Sequence, residues 1–264
     1  MSDNILVNIS DSIATITLNR PEKRNAFHLK MVDQWCESLK TCAEDKSVKV
    51  IIITGKGDAF CAGGDIAELM GARLKMGPED RKSELKDHVH KLVRVFLEND
   101  KPVIAAMNGV ATGAGLDLAL YADLRYAATS ARFSETYVRV GLIPGAGGAW
   151  MLPRIVGEAK AFELLWTSDF ITADEAQELG IVNNVFADKV LMAEVIKIAK
   201  KIASGPQSAN RAIKRAIFHG RNSDLYSSLD HISSTYGLIA TGADHKEAVN
   251  AFLEKREPIF GKNE

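Results

Sequence analysis

The chemistry this sequence offers is concentrated in two glycine-rich breaks, "FCAGGDI" at 60–66 and "NGVATGAGLDL" at 108–118. Each follows an apolar, strand-like run and leads into a helix-like one. A helix start carries unpaired N–H groups and the positive end of the peptide dipole. Two such starts, stripped of side chains, can aim two backbone N–H groups at one oxygen atom, which is what an oxyanion hole requires. The same pattern arises where two backbones pack closely in tight turns, because glycine brings no Cβ. Spacing alone leaves both readings open. One carboxylate, Asp117, lies inside the second run among apolar residues, where an ionisable group costs stability unless it is paired or used. It is either a proton carrier or a structural aspartate bonded to backbone. Glu135, Tyr137 and Arg139 follow in "FSETYVR". On an extended segment the three share a face, and Glu135 is then either a further acid or a residue that pairs with Arg139 or faces solvent.

Other chemistries fit poorly. Gly113 and Gly115 match the first two positions of a dinucleotide-binding G-x-G-x-x-G, but Leu118 occupies the third. No Gly-Lys-Ser/Thr completes a phosphate loop, and no Ser or Cys occupies a G-x-S-x-G elbow. His88 and His90, two apart on a helix, face different directions, cannot share a metal and read as solvated. Cys36, Cys42 and Cys61 are too few for a disulfide framework and read as reduced thiols. With 33 Lys and Arg against 34 Asp and Glu, the net charge of -1 gives no overall pull towards nucleic acid or membrane. The basic stretch "NRAIKRAIFHGR" (210–221) reads as a solvated helix face rather than an RNA surface. "MSDNILVNIS" is polar, and no run of about 18 apolar residues follows anywhere, so a cytoplasmic address is expected.

These residues need elements to hold them. The pattern predicts strands at 4–9 and 12–18 joined by a turn at Asp11 and Ser12, a helix over 29–43, and a doubly buried strand at 48–54. "GKGDAFCAGGDI" predicts a loop. One long amphipathic helix is predicted over 79–97, with Leu85, Val89, Leu92, Val93 and Phe96 inward. Buried strands are predicted in "KPVIAAMNG" and at 123–127. From about residue 157 the pattern predicts helices alone, one opened by a capping box of Thr172 and Glu175. This is an α/β core with a helical tail.

The run from Asn108 to Gly157, "NGVATGAGLDLALYADLRYAATSARFSETYVRVGLIPGAGGAWMLPRIVG", resembles the signature of the crotonase, or enoyl-CoA hydratase/isomerase, superfamily. "RPEKRNAF", "FCAGGDI", "ITADEAQELGIVNNV" and "AFLEKREPIFG" agree, in the family's order and over essentially the whole chain. The resemblance implies a spiral of β-β-α turns over 1–200 and a helical region over 201–264 that trimerises, commonly as a dimer of trimers. It implies an acyl-CoA substrate whose thioester oxygen is held by the N–H groups of Gly64 and Ala114. It runs the CoA past Lys23, Arg24, Ala26, Ala62, Asp65 and Ile66, with adenine on the backbone there and Phe260 closing from the tail. It implies no metal, nicotinamide or flavin, coenzyme A arriving as part of the substrate.

The family's hydratases use two glutamates. The first falls on Asp117, one methylene shorter, and the second on Tyr137. Tyrosine, with an ordinary pKa of about 10, is a poor base near neutrality, so Asp117 is expected to be the acid/base and Tyr137 to orient substrate or water. The acid that other branches place after the proline is replaced by Gly145. Chemistry through a thioester enolate follows, by an isomerase or an atypical hydratase. The alternative is a non-catalytic acyl-CoA-binding or RNA-binding member. Acyl length and ring character are not legible.

Overall fold

The structure is a computed structural model and describes residues 3–261. The chain opens with the antiparallel pair β1 (Ile5–Ser10) and β2 (Ile13–Leu18), turned at Asp11 and Ser12, both with positive φ, as the sequence predicts. Helix α1 (Leu29–Glu44) buries Met31, Val32, Trp35, Leu39 and Cys42 on one side. Then β3 (Val50–Gly55) and β4 (Ala59–Cys61) lead to α2 (Ile66–Arg73), followed by α3 (Pro78–Glu84) and α4 (His90–Glu98). Strands β5 (Val103–Met107) and β6 (Val110–Thr112) lead to α5 (Ala114–Ala119), and β7 (Leu124–Ala128) and β8 (Arg132–Ser134) to a 3₁₀ turn at Thr136–Val140. Helices α6 (Gly148–Val156) and α7 (Glu158–Thr167), strand β9 (Ile171–Thr172), α8 (Ala173–Glu178) and β10 (Asn184–Phe186) follow. The chain ends in α9 (Leu191–Ala203), α10 (Gln207–Gly220), α11 (Leu225–Ala240) and α12 (Ala243–Leu253).

Successive strands go to two different sheets. A six-stranded sheet runs β1-β2-β3-β5-β7-β10 and a four-stranded sheet runs β4-β6-β8-β9. Thus β3–β4, β5–β6 and β7–β8 each give one strand to either sheet before the chain turns away, and the sequence coils as repeated β-β-α turns. Apart from β1 with β2 and β8 with β9, neighbours are parallel, so both faces of the larger sheet must be covered. Accordingly β3 (VIIITG) and β5 (VIAAM) are buried at every residue.

Four expectations are corrected. Residues beyond 157 are not helical throughout, since β9 pairs with β8 and β10 with β7. At two and three residues these strands are too short to show a period of two. The predicted loop at 55–66 contains β4, which pairs with β6. The helix over 79–97 is broken by a π-turn at Leu85–Val89, a single wide turn that leaves the apolar spacing outwardly continuous. The segment after β8 is a 3₁₀ turn rather than extended, closed by Gly141 at φ 67° with Leu142 N–H on Tyr137 O at 3.0 Å. The Thr172–Glu175 capping box is present. No helix among the described residues is long and apolar enough to cross a membrane.

Candidate active site

The two glycine-rich breaks meet. Gly63 has φ +88°, and a Cβ there would stand 3.5 Å from Ala114 N. Gly113 has φ 49° and ψ -124°, a conformation that side chains disfavour, and it turns β6 into α5. Gly64 forms a parallel bridge with Phe27 in which Phe27 N–H donates to Gly63 O and Asp65 N–H to Phe27 O, both at 2.8 Å. This pattern points the Gly64 N–H away from Phe27. Ala114 is the first residue of α5, where N–H groups have no partner within the helix. Both residues line a cavity of about 720 Å³ walled by the α2–α4 region and the 136–146 loop. The glycines of 108–118 therefore divide between the two readings. Side chains on Gly109 and Gly115 would run into backbone oxygens of Asp58 and Cys61, which is close packing alone. Gly113 belongs to the cavity.

Asp117 is wholly buried and does not line the cavity. Tyr137 does, and its hydroxyl donates to Asp117 Oδ2 at 2.5 Å. Asp117 and Tyr137, on which the resemblance places the family's two glutamates, are thus a hydrogen-bonded pair, with the phenol in front and the carboxylate behind. The Tyr137 ring passes 3.8 Å from the position of a Cβ on Gly113, so the phenol packs against the turn that leads into α5. Burial pushes the Asp117 pKa up to about 6, against the Tyr137 hydroxyl, Glu135 and the Gly148 and Ala146 N–H groups, which favour its anion. Burial, then the Asp117 charge, hold the Tyr137 hydroxyl well above its ordinary value.

Glu135 neither pairs with Arg139 nor faces solvent. It is 2% exposed, within hydrogen-bond reach of Asp117, and burial raises its pKa strongly. Arg139 instead donates from Nη2 to Ser168 O at 2.5 Å. Ser168 anchors the whole segment, taking a 2.8 Å bond from Ser134 Oγ and donating 2.6 Å to Glu135 O. Nothing in the sequence around Ser168 signals this. His90, expected to be solvated, instead lines the cavity, and its Nε2 lies 3.0 Å from Gly145 O, tying α4 to the loop. His88 meets Asp33 at 3.0 Å.

Of the residues expected around CoA, Ala62, Asp65 and Ile66 line the cavity, whereas Lys23, Arg24 and Ala26 do not. Lys23, Arg24, Ala26 and Ala62 form a backbone knot: Ala26 N–H donates to Lys23 O and Ala62 N–H to Arg24 O, both at 3.0 Å. Only their carbonyls keep a lone pair for a ligand. Asn25, with φ 56° and 0% exposed, fixes the knot by donating to Lys56 O at 3.0 Å and Ala59 O at 2.8 Å. Ile66 is 56% exposed at the cavity edge. Asp65 lines the cavity, but its carboxylate holds Arg20 at 3.1 Å and accepts from Glu68 N–H at 3.2 Å, which makes it the anchor of α2. Phe260 does not reach the cavity of its own chain. Ile259 N–H donates to Glu247 Oε1 at 2.9 Å and Arg256 pairs with the same carboxylate at 2.6 Å, strapping the tail along α12.

The basic stretch at 210–221 also differs from expectation. Lys214 meets Asp123 at 2.8 Å and Arg215 meets Asp100 at 2.6 Å, so these cations clamp α10 to the core. Among the described residues no cluster of three or more His, Cys, Asp or Glu could hold a metal ion.

Comparison with known proteins shows the family. The family model described as "Enoyl-CoA hydratase/isomerase" matches residues 8–263. Crotonyl-CoA hydratase of Syntrophomonas wolfei is 38% identical over 98% of both chains. The 1,2-epoxyphenylacetyl-CoA isomerase of Escherichia coli is 36% identical over 98% of this chain and 99% of its own. Among solved structures, an enoyl-CoA hydratase from Bacillus anthracis superposes with TM-score 0.91 at 36% identity, covering 97% of this chain and 98% of its own. The chain is an enzyme of the enoyl-CoA hydratase/isomerase family, within the crotonase superfamily.

Proposed function

We propose that the protein is an acyl-CoA enzyme that forms a thioester enolate, and that it shifts a carbon–carbon double bond. The observation that carries this reading is that Gly64, Ala114 and a phenol backed by a carboxylate line one cavity. The thioester oxygen sits between the N–H groups of Gly64 and Ala114. Removing the α-proton moves negative charge onto that oxygen, and fixed donors stabilise the enolate more than the ground-state carbonyl. Losing one such donor costs ~3 kcal/mol.

Asp117 is the base and Tyr137 its extension. As the α-proton passes to Tyr137 Oη, the phenol proton passes to Asp117 Oδ2, and the reverse transfer delivers a proton to the γ-carbon of the dienolate. The two transfers are concerted, because a free tyrosinate here, with its pKa held far above that of Asp117, is too costly. The shorter aspartate and the tyrosine thus compensate for each other. A single proton path favours isomerisation, which takes and returns one proton, over hydration, which needs an acid and a base together. The CoA portion lies along Lys23, Arg24, Ala26, Ala62 and Ile66.

We also propose that the chain assembles as a trimer or a dimer of trimers through α10–α12. Leu225, Tyr226, Tyr236 and Phe252 are all more than two-thirds exposed in the single chain, and α11 has no buried residue.

A panel of saturated, enoyl and dienoyl CoA thioesters, incubated with enzyme in heavy water and read by mass, tests the reaction. Deuterium at the α-carbon and a moved double bond support it. Water added across the double bond, with the bond nowhere moved, replaces isomerase by hydratase, and no change in any thioester leaves a binding protein.

A further inference from the structure

Behind the phenol and its carboxylate lies a second, unused carboxyl. Glu135 is 2% exposed, and neither of its carboxyl oxygens has a hydrogen-bond donor among the described residues. Asp117, 0% exposed, accepts from Tyr137 on Oδ2, while its Oδ1 also lacks a donor. The two carboxyl groups lie within hydrogen-bond reach of each other, and neither makes an ion pair among the described residues. The placement is built rather than accidental, since Ser168 Oγ donates to Glu135 O while Ser134 Oγ and Arg139 Nη2 both donate to Ser168 O and hold it there.

Two ionised carboxylates in contact, away from water, would repel each other and leave three buried acceptors empty. One proton removes the repulsion and leaves a single acceptor, the other Glu135 oxygen, without a donor. An O–H on Glu135 donates to Asp117 Oδ1, fills that site and cancels one charge. The charge belongs on Asp117, which has the Tyr137 hydroxyl and the Gly148 and Ala146 N–H groups around it. Glu135 has only the unfavourable charge of Asp117 beside it.

We propose that Glu135 and Asp117 hold one proton between them, with Glu135 the protonated partner, and that Glu135 is a positioning residue whose O–H keeps Asp117 anionic and aimed at Tyr137. The family pattern assigns no role to this position, because its second carboxylate falls two residues later, on Tyr137. The rate consequence rests on the enolate reading above, but the shared proton does not.

The groups facing the pair leave it as the local titrating unit. From the end of α5 comes Tyr121, whose hydroxyl is pushed up to about 12 by burial and then by the Asp117 charge. The 3₁₀ turn brings Tyr137, also raised, and Arg139, which is turned to Ser168 O. The start of α6 brings only backbone N–H groups.

Infrared difference spectroscopy on the full chain without ligand reads the proton directly. At pH 7 a protonated-carboxyl stretch is expected, sensitive to deuterium and lost in Glu135→Gln. In Asp117→Asn the band should persist and titrate at lower pH, because the neighbouring charge is gone. Absence of the band at pH 7, or a band that survives Glu135→Gln and disappears in Asp117→Asn, overturns the assignment. The positioning role is read from the acidic limb of α-proton exchange. Glu135→Leu removes the donor and should move the limb up by about one pH unit, a tenfold loss on its low side, whereas Glu135→Gln keeps an N–H donor and should leave it at or below the wild-type position. A limb unmoved in Glu135→Leu overturns that role. If the band behaves as expected and no thioester exchanges, the shared proton stands and the enolate reading fails. If exchange proceeds without the band, the reverse holds.

Discussion

At the scale of single residues, the acid proposed to carry the proton also weakens the fold. The Asp117 pKa lies at about 6 in the folded chain against an ordinary 3.8. Activity needs the anion, so α-proton exchange should rise with pH through about 6 and then level off. A limb near pH 4 would mean that burial does not govern this group. Stability runs the other way. A folded-state value above the unfolded one favours folding while the acid is protonated. That stability is complete below about 3.8 and is lost as pH rises through about 6. The difference between 3.8 and about 6 corresponds to ~3 kcal/mol. Asp117→Asn should therefore cut exchange by ~100-fold or more while stabilising the chain by ~1–3 kcal/mol at pH 7.5 and by little at pH 4, measured by urea unfolding. Tyr137→Phe should lose a similar factor in exchange, because Asp117 does not itself line the cavity. The identity of Asp117 as an anomaly was legible, since a carboxylate in an apolar helix calls for an explanation. Its position behind Tyr137 was not, because the depth of a side chain depends on the crossing of α5 with the 3₁₀ turn.

At the scale of elements, the site depends on how closely α6 approaches α5. A Cβ on Gly148, the first residue of α6, would overlap the Asp117 carboxylate. The glycine at 148 is thus the reason the acid can be bedded against a helix start whose N–H groups favour its charge. Gly148→Ala should displace the carboxylate from Tyr137 and abolish most exchange, with a destabilisation of ~1–3 kcal/mol typical of overpacking. Exchange retained at wild-type level would show that the acid has room the structure denies it. The elements themselves were unequally legible. The long strands β2, β3 and β5 and helix α1 declare themselves by apolar runs and periodicity. Strands β6, β8, β9 and β10 have two or three residues each, and what makes them strands is the neighbour already laid down by the previous turn of the spiral. The π-turn is hidden for a related reason. It rotates Leu85 and Val89 onto the cavity without disturbing the apolar spacing, and only the tertiary position of the wall reveals it.

At the scale of the whole molecule, the last helices look outward. Leu225, Leu229, Ile232 and Tyr236 recur at spacings of four, three and four along α11, which puts them on one stripe, and their exposures are 69%, 51%, 43% and 70%. Ile213 and Ile217 on α10 add 57% and 62%. Monomeric soluble proteins rarely leave contiguous apolar patches beyond a few hundred Å² uncovered. Helix α10 is meanwhile fixed to the core by Lys214 on Asp123 at 2.8 Å, and Asp123 in turn accepts from Val103 N–H at 2.8 Å, at the start of the strand that leads to the Ala114 loop. Covering the helices therefore supports the strand that presents the site. Sedimentation at micromolar concentration should find a trimer or hexamer, whereas a stable monomer would remove the assembly from this account. Leu229→Glu combined with Ile232→Glu places two charges in the stripe and should shift the protein to smaller species. Its melting temperature should fall by several degrees, since ~1 kcal/mol corresponds to roughly 2–4 °C for a chain of this size class. Full assembly in the double variant would show that this stripe is not the contact. The apolar residues of α11 would then need another explanation.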